Sequence, residues 1–278
     1  MSYMIKNDED RLSSLPEEVV SHILSLMPTK FAVRTSILSW RWRYSWMSVT
    51  NLDFDDRHPY HDLNCFTKFV DRVLELQKSP QVKVFRMCFS EMWVKKSNVS
   101  KWIDVAVRLN VSELDVQSIV LEVPVSLFTC RTLTKLKLAH NTRDWDVWEC
   151  SSPVNLPCLK TLDIYVIANP FVNAFKLLPG CPVLENLYLC VTCKGEKEEY
   201  IFNIPTLKRL ELTWHKHRPV NDKVVLQVPN LEYLSVTHMF GRPVVKKELS
   251  SLIDQPLRHH MWVKCLKEVG LNNFQFKE

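Results

Sequence analysis

Residues 132–138 read TLTKLKL, which sets Leu133, Leu136 and Leu138 in an LxxLxL pattern. The spacing returns as Leu159-Leu162-Ile164, Leu184-Leu187-Leu189, Leu207-Leu210-Leu212 and Leu231-Leu234-Val236. Successive copies are 26, 25, 23 and 24 residues apart. Weaker copies precede them at Val49-Leu52-Phe54, Val82-Phe85-Met87 and Val111-Leu114-Val116, and one more follows at Leu266-Val269-Leu271. In an extended strand alternate residues share a face, so the fourth and sixth positions of each copy point the same way. A proline stands two residues before the first apolar position in five copies: Pro80, Pro157, Pro182, Pro205 and Pro229. Because proline has no N–H for a sheet ladder, it is expected at the first residue of a strand and not in its middle.

A step of 20–29 residues with this pattern is the signature of leucine-rich repeats. Each repeat should supply one short strand, stacked on its neighbours in a parallel sheet at about 4.8 Å. About eight or nine strands are expected. No single repeat can bury its own leucines, so stability comes from stacking. Helical stripes suit the return paths over 64–78 (Phe66, Phe69, Val70, Val73, Leu74) and 98–109 (Trp102, Ile103, Ala106, Val107), with a shorter one over 171–178 closed by Gly180. The returns at 200–203 and 223–228 read as extended. The asparagine usual at the ninth repeat position occurs once, as Asn141, so the repeat is irregular. The third and fifth positions of the five strong copies alternate away from the core. They are Thr161, Ser235 and the expected partner-contact set: Lys135, Lys137, Asp163, Asn186, Tyr188, Arg209, Glu211 and Tyr233. Tyrosine and arginine are enriched at interface hot spots.

The first fifty residues follow a different period. Pro16 suits the first position of a helix, and Glu17 and Glu18 favour its N-terminal dipole. Val19, Val20, Ile23, Leu24 and Met27 then follow at helical spacing, while Leu26 lies off that stripe. Pro28 ends the element. A second helix is expected over Lys30 to Leu38, and a third carrying Trp40, Trp42 and Trp46. Some 35 residues are too few to bury so many large apolar side chains alone. Either the rest of the chain covers them, as a cap on the downstream domain, or a second polypeptide does.

Asp10-Arg11-Leu12-Ser13, Leu15-Pro16, Ile23-Leu24, the run Pro28 to Ser36, Leu38-Ser39 and Arg41-Trp42-Arg43 together resemble an F-box, in the form found in plant F-box/leucine-rich-repeat proteins. Trp40 stands where that family usually has Lys or Cys, and Ser45 where it has an apolar residue. The run Cys265 to Phe274 is similar to the start of the FBD segment that often ends such proteins. The resemblance implies an F-box at 8–48 and a repeat solenoid at 49–278, with an FBD-like start at 266–278. The implied fold class is α/β: a three-helix F-box, then an irregular leucine-rich-repeat solenoid with a stacked parallel sheet. It implies that Leu15, Pro16, Val19, Ile23, Leu24, Val33, Ser36, Leu38 and Trp42 dock on, or support docking on, the Skp adaptor of a cullin-RING ubiquitin ligase. The chain would then be a non-catalytic substrate-recognition subunit for an unknown target protein. The alternative is a non-ligase leucine-rich-repeat interaction scaffold.

Composition narrows the other classes. The 278 residues are 46% hydrophobic and 24% charged, as in globular proteins, and carry a net charge of +5. That charge is too small for a dedicated nucleic-acid binder. Trp40-Arg41-Trp42-Arg43 reads better as a docking helix than as a nucleic-acid site, and Lys95-Lys96 and Lys246-Lys247 as solvated pairs. Four glycines cannot build a phosphate loop or a dinucleotide fingerprint. No secretion signal or membrane-spanning stretch is read, so cytoplasm or nucleus is expected, with the nine cysteines as reduced thiols. Cys190-Val191-Thr192-Cys193 is a lone CxxC; His215 and His217 follow, but a structural zinc site needs four suitable ligands. His259-His260 reads as part of a solvated helix or loop. No hydrolase elbow or paired carboxylates appear, and no cofactor, metal, nucleic acid or membrane is expected.

Overall fold

The computed structural model describes residues 14–56, 63–89, 94–119, 121–140, 153–170, 175–193, 199–216, 223–238, 243–249, 255–268 and 274–276. Eight strands follow the first eight LxxLxL copies: β1 Asn51–Asp55, β2 Val84–Phe89, β3 Glu113–Ser118, β4 Lys135–His140, β5 Thr161–Pro170, β6 Asn186–Cys193, β8 Arg209–Lys216 and β10 Tyr233–His238. They pair in chain order, all parallel, and in register except for a shift between Val166 and Pro170 of β5 against β6. All three apolar positions of all eight copies are at most 2% exposed. The period-2 pattern therefore does what it must: the leucines form one continuous core, and the residues between them face away.

The prolines act differently from the expectation. In four copies they precede the strand by four residues, as the second residue of a turn. Leu159, Leu184, Leu207 and Leu231 donate their N–H to the carbonyls of Leu156, Cys181, Ile204 and Val228, at 3.2, 3.3, 3.1 and 3.1 Å. Pro157, Pro182, Pro205 and Pro229 sit just after those acceptors, where a fixed φ near −65° is pre-set for the turn. Each turn thus delivers the first buried leucine. A backbone rung then links neighbouring repeats: Lys160 N–H to Thr134 O (2.8 Å), Glu185 to Lys160 (2.9 Å), Lys208 to Glu185 (2.8 Å) and Glu232 to Lys208 (2.7 Å).

Behind the sheet the second layer changes character along the chain. Helices α4 (Leu63–Leu76) and α5 (Lys96–Arg108) make the first two returns. Phe66 and Phe89 meet Trp102 at 6.3 and 5.7 Å between ring centres, and the Trp102 indole N–H donates to Asp71 at 2.8 Å. A short 3-10 turn, Leu178–Gly180, closes the return before β6. A Cβ at Gly180 would come within 2.5 Å of the Val154 carbonyl oxygen, so only glycine fits this close approach. The later returns are strands, β7 Glu199–Asn203 and β9 Lys223–Gln227. With β12 Phe274–Phe276 they form a three-stranded parallel sheet in the order β12-β9-β7.

Three expectations at the chain's ends are corrected. The ninth strand of the main sheet is β11, Pro243–Glu248, and it pairs antiparallel to β10. The copy expected at Leu266-Val269-Leu271 is not a strand at its start: Leu266 lies in helix α6, Gln255–Glu268, with Trp262 one turn before it. Both are buried, so the apolar spacing there belongs to a helix; Val269 and Leu271 lie outside the described residues, as does Asn141. At the N-terminus the helices are α1 Glu17–Ser25, α2 Thr29–Arg34 and a single turn, α3 Trp42–Ser45, with 3-10 turns at Thr35–Ile37 and Trp46–Ser48. Trp40 lies outside α3.

Candidate functional site

Two surfaces carry the residues singled out by sequence. The first is built by the N-terminal helices. Val20 and Leu24, one turn apart on α1, point inward with Ala32 of α2 and with Trp42, Trp46 and Met47, joining the same core as the strands. Apolar residues out of phase with that set are left outside: Val19, Leu26, Phe31, Ile37, Leu38, Trp40 and Tyr44. Of the eleven large hydrophobic residues exposed among the described ones, these are seven. Ile37 is 85% exposed, Trp40 79% and Leu38 60%. Lys30, Arg34, Arg41 and Arg43 lie among them, with no acidic residue from 29 to 50. The Arg43 guanidinium covers the Trp40 ring at 4.8 Å and the Tyr44 ring at 5.6 Å. Ser45 is not a lost apolar contact, because its hydroxyl donates to the Arg41 carbonyl at 2.8 Å. Arg41 in turn donates to the Leu15 carbonyl and so ties α3 to α1.

The second surface is the outward face of the main sheet. In-register pairing aligns Asp115, Lys137, Asp163, Tyr188 and Glu211 in one row, and Glu113, Lys135, Thr161, Asn186, Arg209 and Tyr233 in the next. All eight residues of the expected partner-contact set therefore lie together. Lys137 sits between Asp115 and Asp163, 4.0 Å from each. Lys135 reaches Glu113 at 3.7 Å and Arg209 reaches Glu211 at 3.8 Å. The Arg209 guanidinium also stacks on the Tyr233 ring at 4.0 Å. Burial raises the Asp163 carboxyl above its ordinary value, with Lys137 pulling the other way and Asp115 adding to the rise. Burial likewise raises the Tyr188 hydroxyl. Ser235, expected to face outward, is buried.

A family model described as "F-box domain" matches residues 12–54. A second, described as "FBD-associated F-box protein At5g56370, LRR repeats", matches residues 99–254, more than half of the chain. The F-box/LRR-repeat protein At4g14103 of Arabidopsis thaliana is 35% identical over 286 residues, covering 98% of this chain and 72% of that protein. The chain belongs to the F-box/leucine-rich-repeat family. The Arabidopsis F-box protein At4g09920 is 33% identical over 237 residues, covering 82% of this chain and 73% of its own. The F-box/LRR-repeat protein At3g59200 is 38% identical over 255 residues, and there the chain spans about half of its relative, 49%. No solved structure matches.

The F-box residues expected at the adaptor divide into three groups. Val19, Leu38 and Pro16 are exposed, and Leu15, Ile23, Val33 and Ser36 are half-buried. Leu24 and Trp42, at 0% and 3% exposure, are sealed in the chain's own core. These two leave almost no surface of their own exposed, so of the two expected roles, docking or supporting the docking surface, their burial suits the second. Sequence reasoning missed Ile37, and it noted Trp40 only as a departure from the family. Ile37 ends a 3-10 turn and Trp40 lies outside α3, so no helical period in the sequence marked either as outward-facing. The F-box segment is also not a bead on a linker. Thr29 Oγ1 accepts the Asp53 N–H at 2.7 Å, Asn51 Nδ2 donates to the Ser25 carbonyl at 3.3 Å, and Lys78 N–H donates to the Met47 carbonyl at 2.8 Å. The helices close the β1 edge of the sheet and still keep an apolar exterior.

Among the described residues no group of three or more His, Cys, Asp or Glu could hold a metal ion, and no helix is long and apolar enough to cross a membrane. Burial pushes the Cys190 thiol up to about 11 and the Cys181 thiol up to about 12, the opposite of what a reactive nucleophile requires. The side chains of Cys193, His215 and His217 lie outside the described residues. His259 and His260 lie on α6.

Proposed function

We propose that the chain is the substrate-recognition subunit of an SCF-type E3 ubiquitin ligase. Residues 8–48 dock on the Skp adaptor and, through it, on the cullin-RING ligase. Residues 49–278, as an irregular leucine-rich-repeat solenoid, hold a target protein on the outward face of the sheet. The chain does no chemistry itself. It raises the effective concentration of target lysines near the ubiquitin-loaded enzyme. One observation carries this reading: the family-matched F-box segment keeps a band of large apolar side chains on its outside after its own core is complete.

The test is co-expression of the full chain with a Skp adaptor. A stoichiometric complex is expected, with the chain alone prone to self-association through the apolar band. A second reading, an interaction scaffold outside any ligase, draws on the packing of Leu24, Trp42, Trp46 and Met47 into the repeat core. A monodisperse monomer that ignores the adaptor would decide for the scaffold.

A further inference from the structure

Behind the main sheet the last returns leave a hollow. It lies where β7 and β9 end, at Asn203 and Gln227, beside the first turns of α6 and against β12. Its volume is about 590 Å³, inside the range of about 300–1,000 Å³ that small-molecule sites occupy. It belongs neither to the apolar band of the N-terminal helices nor to the outward face of the sheet, and none of the residues named for those two surfaces lines it.

One part of the lining is aromatic. The Trp262 and Phe276 rings stack with their planes 10° apart and centres at 6.3 Å, and His259 meets Phe276 edge-on at 6.0 Å. Trp262 is buried and its indole N–H donates to the Leu231 carbonyl at 3.2 Å, so this wall is anchored to the turn before β10. Another part carries carboxamides. Asn203 and Gln227 are neighbours across the β7–β9 ladder. Gln255 donates to Asn230 Oδ1 at 3.0 Å, and Asn230 donates to the Pro205 carbonyl at 2.8 Å. The Gln255 amide N–H is thereby spent on holding the rim, while Asn203 and Gln227 each bring a donor and an acceptor to the lining. Among the described residues no Asp, Glu, Lys or Arg lines the cavity.

This chemistry selects its occupant. A phosphate or carboxylate entering the cavity would give up hydration and meet no opposite charge, which is costly. A flat ring gains twice, by leaving water and by lying against aromatic side chains. A carboxamide is matched by a group that sets one donor beside one acceptor, because the two can then exchange a pair of hydrogen bonds. We infer that this cavity binds a small, flat, uncharged molecule with a lactam or amide edge, its ring against Phe276 and His259 and its edge paired with the carboxamide of Gln227. Such a molecule bridges α6 and β12 to the end of β9.

The probe is quinolin-2-one, a bicyclic lactam, titrated by ligand-observed NMR into the full chain in complex with its adaptor. Saturable binding with a Kd below about 1 mM is expected for a ligand of this size. 1-Methylquinolin-2-one, which lacks the N–H donor, should bind about three- to tenfold more weakly. Quinoline-2-carboxylate, which is charged, should bind at least about tenfold more weakly than the lactam. Gln227→Leu should weaken quinolin-2-one about three- to tenfold and narrow the gap between the lactam and its N-methyl derivative. Phe276→Ala should weaken it about tenfold. Gln227 is half-buried at a strand end, so its variant serves if Phe276→Ala loosens β12. Amide exchange should slow over 227–231 and 255–262 when the lactam is added. No saturable binding up to about 5 mM, where a fragment of this size should be largely bound, would overturn the inference. So would wild-type affinity in both variants, or a carboxylate that binds as tightly as the lactam. Neither variant touches the apolar band, so adaptor capture reports on the ligase assignment separately.

Discussion

Truncating Ile37 and Leu38 together to alanine should separate docking from folding. Fully burying such a side chain stabilises by about 1.5–3 kcal/mol. Ile37 and Leu38 are 85% and 60% exposed, so that fraction of each is still available to a partner. Scaled accordingly, the pair offers about 2–4 kcal/mol of adaptor affinity. Alanine keeps one carbon of each side chain, so the expected loss is about 2–3 kcal/mol, roughly a 30- to 150-fold rise in Kd. The fold should hardly notice, because surface truncations stay within about 0.5 kcal/mol. Leu24→Ala is the mirror image. Its side chain is fully buried, so it should cost about 3–5 kcal/mol of stability through a cavity in the shared core. The assay is adaptor titration by calorimetry beside a urea melt of each variant. Wild-type adaptor affinity in the Ile37→Ala/Leu38→Ala double variant would refute the docking argument. A large fall in its unfolding midpoint would refute the claim that these residues lie outside the core.

Other contacts can be tested singly. Thr29→Val leaves the Asp53 N–H without its 2.7 Å acceptor; we expect a loss of about 1–3 kcal/mol, with amide exchange at Asp53 accelerating before the rest of β1. Gly180→Ala must push the Val154 backbone aside, and a stability loss of about 1–3 kcal/mol, read as a lowered urea midpoint, is expected. The Cys181 thiol, pushed up to about 12 by burial, keeps its proton in the folded chain at pH values where an unfolded-chain thiol, near 8.5, has lost it. The unfolded state then binds fewer protons, so this thiol's contribution is intact below about pH 8.5 and drains away toward pH 12. Unfolding midpoints measured across that window should fall less steeply in Cys181→Ala than in the wild type.

The repeat was legible because two constraints coincide in it. A strand forces period 2, and stacking forces the same residues inward at every rung, so Leu136, Leu162, Leu187, Leu210 and Leu234 line up without further information. Where one constraint acts alone the sequence is ambiguous. A missing N–H suits proline to the first residue of a strand and equally to the second residue of a turn, and the turn is what Pro157, Pro182, Pro205 and Pro229 occupy. Leu266 and Val269 are three apart, a spacing that strands and helices both allow. Trp262, four before Leu266, was the residue that spoke for a helix. Strand β11 has no LxxLxL pattern, since an antiparallel edge strand need not carry the stacked leucines. On the helices, composition revealed an excess of apolar surface but not its division. Whether Leu24 or Ile37 faces the chain's own core depends on how α1, α2 and the 3-10 turn that follows α2 sit against β1, and that is a tertiary fact.

The position of the N-terminal helices also bears on how the proposed ligase subunit would work. An exposed β1 edge would offer unpaired backbone groups to another chain. Thr29 and the α1–α2 corner cover it, and Trp42, Trp46 and Met47 extend the leucine core through the last rung. The same helices therefore do two jobs: their inner face completes the repeat, and their outer face is left for a partner. A flexible linker between adaptor and target sites would spread a bound target over a large volume, diluting its lysines. A continuous core allows no such spread. The docking band and the sheet face share one core, so in the proposed subunit the direction in which a target is presented is fixed by the number of rungs between β1 and the part of the sheet face that holds it. Inserting or deleting one repeat between β3 and β4 would leave both surfaces intact and still shift where the target is held. Ubiquitination sites should move with that change while adaptor affinity stays constant.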